Sequence, residues 1–288
     1  MKKKFRCSSF GKLMTGAMMP GTKPLTESQK RELEELEAKG SKSKKLQDLI
    51  EKRDKIYYPE LSKGAKTYIE EEFIKDRFNY HVAFTNVYTE KGKELEQRSI
   101  REVGQYLGYP FATKAPEKRL ENDYLVTSGY DWKTKRFVFD QKNVWDPTGL
   151  KLFDEEKETA IYEWQIRGYA MLINELEAGE IESGAVIRVL MNPSDEQIYR
   201  QAKIMYVDKG GDWGDDVPID FFNKVADMFD FEAKFPNIED RMRIYPVEVT
   251  SEHIELIKLY VGMAQDYYDS LHDQVDNVKN VFDRFKNC

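Results

Sequence analysis

From residue 137 the chain reads Phe137, Val138, Phe139 and then Asp140, Gln141, Lys142. The apolar start is that of a half-buried strand, but an acid and an ammonium stand where apolar side chains should continue. Successive side chains of a strand face opposite ways, so Asp140 and Lys142 share a face, about 7 Å apart along the chain. Such a pair is either a salt bridge on an exposed face, worth little, or a metal-ligating acid beside a catalytic cation. The pair alone leaves both readings open.

The rest of the pattern predicts the frame around it. Residues 122–131 and 135–145 read as two strands joined by a short polar turn, an antiparallel hairpin. Residues 184–192, GAVIRVLMN, form a more buried strand, and 241–249 a further one. Helical spacing runs through Tyr68, Ile69, Phe73 and Ile74, through 89–108, through 155–179, and from about Ser251 through Ile254, Leu256, Ile257, Tyr260 and Val261. Thr26 and Gln29 have capping-box spacing, Leu33 and Leu36 share a face and Gly40 closes the segment, so residues 26–55 read as a helical hairpin. The order helix, strand, strand, helix, strand predicts an α+β protein with an α/β-like core, a central mixed sheet flanked by helices. No repeat and no low-complexity tract interrupts it.

Composition narrows the classes. A chain of 288 residues is large enough for one sizeable core, and we expect a single domain over 1–288 with the 26–55 hairpin inserted in it. No apolar run is long enough to span a bilayer, and the basic start lacks a continuous apolar stretch for a signal peptide, so a cytoplasmic location is expected. Only Cys7 and Cys288 occur, at opposite ends, which argues against a disulfide framework and rules out any four-cysteine zinc or iron–sulfur site. The net charge of −7 speaks against wholesale nucleic-acid binding, but it is uneven. Residues 1–66 hold 17 Lys and Arg against 9 Asp and Glu, a net of +8, and the remainder carries −15. That excess is either a local polyanion footprint or a solvated helical hairpin.

Four features carry candidate chemistry: Glu96 on the helix before the two strands, Asp131 at the end of the first strand, the Asp140/Lys142 pair, and Gln165. Gln165 lies in the apolar stripe Ile161, Trp164, Gly168, Leu172, one turn before Tyr169. A buried amide is costly unless its donors and acceptors are paired, so Gln165 is expected to reach a polar pocket beneath its helix, with Gly168 letting the helix lie close to the sheet. Acids from adjacent strands and a helical Glu supply the hard oxygen ligands that Mg²⁺ or Mn²⁺ takes, and a nearby ammonium suits phosphodiester hydrolysis. His81, His253 and His272 have no metal-ligand spacing, and no Walker-type Gly-Lys-Ser/Thr loop supports NTP hydrolysis.

In this order, Glu96, Asp131, the D-x-K of Asp140 and Lys142, and the Q-x-x-x-Y from Gln165 to Tyr169 resemble the PD-(D/E)XK nuclease superfamily. Within it the chain is most similar to the YqaJ-like, lambda-exonuclease-type branch found in phages. Gly92 and Glu96 match that branch's G-x-x-x-E, and RCSSFGKLMTG and RMRIYPVEVTSEHIELIKLYV look like its opening and closing segments. One departure is Tyr130, which stands where a proline usually precedes the first acid; Asp123 competes with Asp131 for that role but lies early on the strand. The resemblance implies a restriction-endonuclease-like fold with Asp131, Asp140 and Glu96 on Mg²⁺ (Mn²⁺ as the alternative). Lys142 would hold the attacking water, and Gln165 would orient the lysine or touch DNA, supported by Tyr169. It implies Arg6, Ser8, Ser9 and Lys12 as phosphate contacts, with Ser8 or Ser9 capping a short helix.

At the level of function it implies an exodeoxyribonuclease acting on double-stranded DNA ends, 5′ to 3′, as a ring-shaped homo-oligomer, a trimer favoured. Its product would be a single strand for an annealing recombinase. The rivals are an endonuclease or single-strand-specific nuclease of the same fold, a catalytically inactive DNA-binding accessory protein, and a partner-binding hairpin on an unrelated α+β domain.

Overall fold

The computed structural model describes residues 2–22, 25–81, 87–152, 159–177 and 179–286. In chain order its elements are β1 (Lys4–Arg6), α1 (Phe10–Leu13), β2 (Gly21–Thr22), α2 (Glu27–Ala38), α3 (Lys44–Asp54), β3 (Ile56–Tyr57), α4 (Lys63–Phe78) and α5 (Val87–Tyr106). There follow β4 (Lys118–Glu121), β5 (Leu125–Ser128), β6 (Trp132–Lys133), β7 (Phe137–Val144), α6 (Ala160–Glu177) and β8 (Ser183–Leu190). The chain continues with α7 (Asp195–Asp208), α8 (Ile219–Met228), α9 (Phe231–Lys234), β9 (Met242–Glu248) and α10 (Ser251–Lys286). Among the described residues no helix is long and apolar enough to cross a membrane.

The expected central mixed sheet is present, in the order β6-β7-β8-β9. β7 and β8 run parallel from Phe137↔Ser183 to Val144↔Leu190, β9 pairs antiparallel with β8, and β6 pairs antiparallel with β7. β8 is apolar almost throughout because both its faces are covered, whereas β9 alternates buried and exposed positions as an edge strand does. On one face α6, α1, α4 and α10 enclose Val138, Ile166, Val186, Tyr245 and Ile257. On the other, α5 brings Ile100 and Val103 against Phe139, Ile187 and Val189. Trp132 stacks on Phe139 there with ring centroids 4.0 Å apart. α10 buries Ile257, Tyr260, Val261 and Ala264 completely, each large side chain worth about 1.5–3 kcal/mol. The two ends of the chain meet where Lys3 N donates to Gln265 Oε1 at 2.9 Å, a buried bond between residues 262 positions apart.

Two expectations need correction. The strand expected over 122–131 is broken. β5 belongs to a second sheet, β1-β5-β4, in which β1 runs parallel to it with Arg6 opposite Thr127. The chain then bends through Gly129, Tyr130 and Asp131, where Ala115 N reaches both Tyr130 O (3.2 Å) and Asp131 O (3.1 Å). Those carbonyls are thereby taken out of strand pairing, and only β6 reaches β7. The second correction concerns Gly168, which does not admit the sheet. A Cβ there would lie 2.6 Å from the Phe10 ring and 3.1 Å from Cys7 Cβ, so Gly168 makes room for the N-terminal segment. The close helix–sheet approach is at Gly184 on β8, where a Cβ would meet Ile166 Cγ2 and Val138 O at 2.5 Å.

Thr26 and Gln29 form the capping box of α2, and Gly40 has φ +59° as a helix terminator does. α2 and α3 pack through Leu25, Leu33 and Leu49. Between β8 and β9, α7, α8 and α9 pack on Val144, Leu150 and Leu190.

Candidate active site

β7 places Asp140 and Lys142 on the face covered by α6. Asp140 is 3% exposed. Its Oδ1 accepts from Gln165 Nε2 at 2.9 Å and from the Tyr169 hydroxyl at 3.2 Å, and Gln165 Nε2 also donates to that hydroxyl. Gln165 and Tyr169 meet the same oxygen because they lie one helical turn apart on the buried stripe of α6. Lys142 Nζ stands 2.6 Å from Asp140 Oδ2, an ion pair that holds the second carboxylate oxygen. Asp131, also buried, comes from the bend before β6, and its Oδ2 accepts from Gln141 N, between the two β7 residues.

The electrostatics follow from this crowding. Burial, then the charge of Asp140, pushes the Asp131 carboxyl well above the usual carboxylate range, partly offset by the Gln141 amide and Lys142. For Lys142, burial disfavours the ammonium but is outweighed by Asp140 and then Asp131, so its pKa is raised and it stays protonated. Burial and the Asp140 charge keep the Tyr169 hydroxyl protonated as well. The Tyr162 ring lies 4.9 Å from Lys142 Nζ.

Asp131, Asp140, Lys142, Gln165 and Tyr169 are thus brought together. Gln165 contacts Asp140 rather than the lysine that the resemblance had it orient. Glu96 stands apart from this group: it is ion-paired with Lys114 and reaches Asp131 only as a weak electrostatic influence. Gly92 is not demanded by packing, since nothing lies within 4 Å of a Cβ built there. Arg6 and Ser9 line a separate cavity of about 830 Å³ with Lys3, Tyr68, Asp76 and His272. Ser8 is exposed, and Lys12 lies over the Tyr68 ring at 5.5 Å. The expected serine cap is not made: Ser9 is the N-cap residue of the four-residue α1, but its side chain makes no capping hydrogen bond. Cys7 between these regions is buried, which pushes its thiol to about 12 and makes it inert.

Sequence reasoning missed the supports on the opposite face of β7. Gln141 Nε2 donates to Ser99 O (3.2 Å) and its Oε1 accepts from Trp132 Nε1 (3.1 Å). Asn143 Nδ2 donates to Ser99 Oγ at 3.1 Å. The fully buried Lys91 donates to Val144 O (2.9 Å) and Trp145 O (3.2 Å), clamping the end of β7 to α5. Gln141 and Asn143, two apart on an otherwise apolar face, were the available signal.

Among the described residues no three His, Cys, Asp or Glu side chains form a metal-holding group. The site nonetheless fits a hard divalent cation by its donors: two buried carboxylates close enough that the charge of Asp140 raises the pKa of Asp131. Mg²⁺ commonly takes one or two carboxylates and completes its shell with water and phosphate oxygens.

The fold is similar to that of a phage-related exonuclease from Haemophilus somnus 129PT, with a TM-score of 0.61 and 22% identity over 96% of this chain and 97% of that one. At that identity the likeness shows the fold. An alkaline exonuclease from Laribacter hongkongensis matches with a TM-score of 0.46 and 10% identity, over 77% of this chain and 88% of that one. No protein-family model and no curated protein matches the sequence.

Proposed function

We propose that the chain is a metal-dependent deoxyribonuclease of the PD-(D/E)XK superfamily and its lambda-exonuclease-type branch, degrading linear duplex DNA from an end, 5′ to 3′. The observation that carries this reading is the convergence on Asp140: Gln165 and Tyr169 engage Oδ1, Lys142 pairs with Oδ2, and a second buried acid, Asp131, is held beside them by Gln141 N. A purely structural salt bridge does not need the second buried acid, Asp131. The likeness of fold to a phage-related exonuclease supports the same reading.

Asp131 and Asp140 would hold Mg²⁺, with Mn²⁺ as the alternative and Glu96 joining them only by leaving Lys114. When bound there, such an ion would supply Lewis-acid chemistry, polarising a phosphoryl oxygen and acidifying a water. Gln165 and Tyr169 fix the rotamer of Asp140. Lys142, kept protonated by its two acids, positions the attacking water and stabilises the charge that develops on the phosphate. Arg6, Ser8, Ser9 and Lys12 would contact phosphates near the processed end. The single strand left behind would pass to an annealing recombinase in the host cytoplasm. A homo-oligomeric ring, a trimer favoured, belongs to the reading, and a monomer that degrades DNA processively would remove that part.

The test uses linear duplex DNA labelled at the 5′ or 3′ end, with Mg²⁺ or EDTA, and the wild type beside Asp140→Asn and Lys142→Ala. The expected result is Mg²⁺-dependent loss of the 5′ label by the wild type alone. Binding that is equal in EDTA, with DNA intact in Mg²⁺, would point instead to an inactive DNA-binding protein.

A further inference from the structure

The register of the central sheet aligns three cations. Lys142 on β7 is opposite Arg188 on β8, and Arg188 is opposite Arg243 on β9. Paired positions of neighbouring strands project to the same face, with strands about 4.8 Å apart, so the row runs across the sheet from the candidate acids to the edge strand. Like charges directly opposite one another destabilise a sheet, so the row needs an offsetting interaction. Lys142 has Asp140. Arg188 donates to Gly149 O at 3.0 Å and stacks over Tyr162 at 5.8 Å, the ring that also receives Lys142. Arg243 is exposed, and its side chain makes no hydrogen bond, ion pair or ring contact among the described residues.

We infer that Arg188 and Arg243 extend the candidate site into a phosphate track, binding the nucleic-acid backbone to one side of the scissile bond. This rests on the nuclease reading. The backbone of a nucleic acid is the polyanion whose successive charges suit a linear row of cations beginning at the cleavage point, and guanidinium groups bind phosphate in a fixed fork geometry. The competing account of Arg243 is protection of an exposed edge, for which edge strands commonly use charge. That role is served as well by an acid, which separates the two accounts.

The experiment measures binding of a fluorescein-labelled linear duplex by the full chain in EDTA across a salt series, for the wild type, Arg243→Ala, Arg243→Lys and Arg243→Glu. Steady-state cleavage of the duplex in Mg²⁺ and hydrolysis of a dinucleotide too short to reach Arg243 complete it. Loss of one phosphate contact should lower the slope of log K against log salt by about 0.9, equivalent to about eightfold weaker binding at 0.1 M salt. The expected result is therefore that slope change in Arg243→Ala, a further loss in Arg243→Glu and partial retention in Arg243→Lys. KM for the duplex should rise while kcat and dinucleotide hydrolysis remain as in the wild type. Melting temperatures equal to the wild type show that the variants are folded. Unchanged slope and KM in Arg243→Glu, with an active wild type, overturn the track and leave the nuclease reading standing. A wild type that neither binds nor cleaves DNA overturns both.

Discussion

Replacing Lys91 by Met removes a charge from the most enclosed cation of the fold. The side chain is 0% exposed, between the rings of Trp145 and Phe231 at 5.3 and 5.5 Å, with Nζ on the carbonyls of Val144, which ends β7, and of Trp145 just beyond it. Burial lowers its pKa from 10.5 to about 7, with Asp146 and Glu232 pulling the other way. Below pH 7 the folded and unfolded chains both hold this proton, and the cost of burying the ammonium is borne in full. Between pH 7 and 10.5 the unfolded chain keeps the proton that the folded chain sheds, so stability rises with pH, by about 1.4 kcal/mol per pH unit and about 5 kcal/mol in all. Met has nearly the same length and no proton to shed. It also leaves two carbonyls without a donor, at a pH-independent cost of about 1–3 kcal/mol for each buried group left unpaired.

The assay is urea unfolding of both proteins from pH 7.5 to 9.5. Subtracting one stability from the other cancels every other titrating group. The wild type should gain about 2–3 kcal/mol on the variant over that interval. A difference that stays constant would show that Lys91 keeps its proton throughout, held by the carbonyls and rings, and would refute the reasoning. The partners of Lys91 lie two and three residues beyond Lys142, so the experiment also reports on the anchorage of β7.

Gly184→Ala puts a methyl group 2.5 Å from both Ile166 Cγ2 and Val138 O. One of these atoms is backbone in the parallel partner strand, so a loss of about 1–3 kcal/mol is expected, visible as a lower thermal midpoint; an unchanged midpoint would mean that α6 shifts freely. Gln165→Leu keeps the volume but takes one of two donors from Asp140 Oδ1. Turnover on duplex DNA should fall at least tenfold while the urea midpoint moves little, and full turnover would remove Gln165 from the site.

What the sequence made legible follows from local periodicity. Asp140 and Lys142 share a face because strands repeat every two residues, and Gln165 and Tyr169 meet because helices bring residues four apart together. β7, β8 and α10 were recognisable from their apolar patterns for the same reason. Pairing partners are a different matter. Nothing in LVTS announces that Leu125–Ser128 lies beside residues 4–6 rather than beside 137–144, because that choice is made by tertiary packing. Lys91 and Lys93 look alike in a charged helical segment, and only the docking of α5 on the end of β7 distinguishes the buried one. The G-x-x-x-E motif suggested that Glu96 joins the acids, but Lys114, on the loop before β4, competes for it.

The bond between Lys3 and Gln265 bears on when such a protein becomes active during its synthesis. β1 is made early, yet its partner β5 is made far later, and the helix that ties Lys3 down comes near the end of the chain. Contacts of such long range delay folding until most of the polypeptide exists. A nascent chain therefore carries both acids and the lysine well before the scaffold that aligns them, and on the proposed reading shortened chains lacking α10 should leave DNA intact.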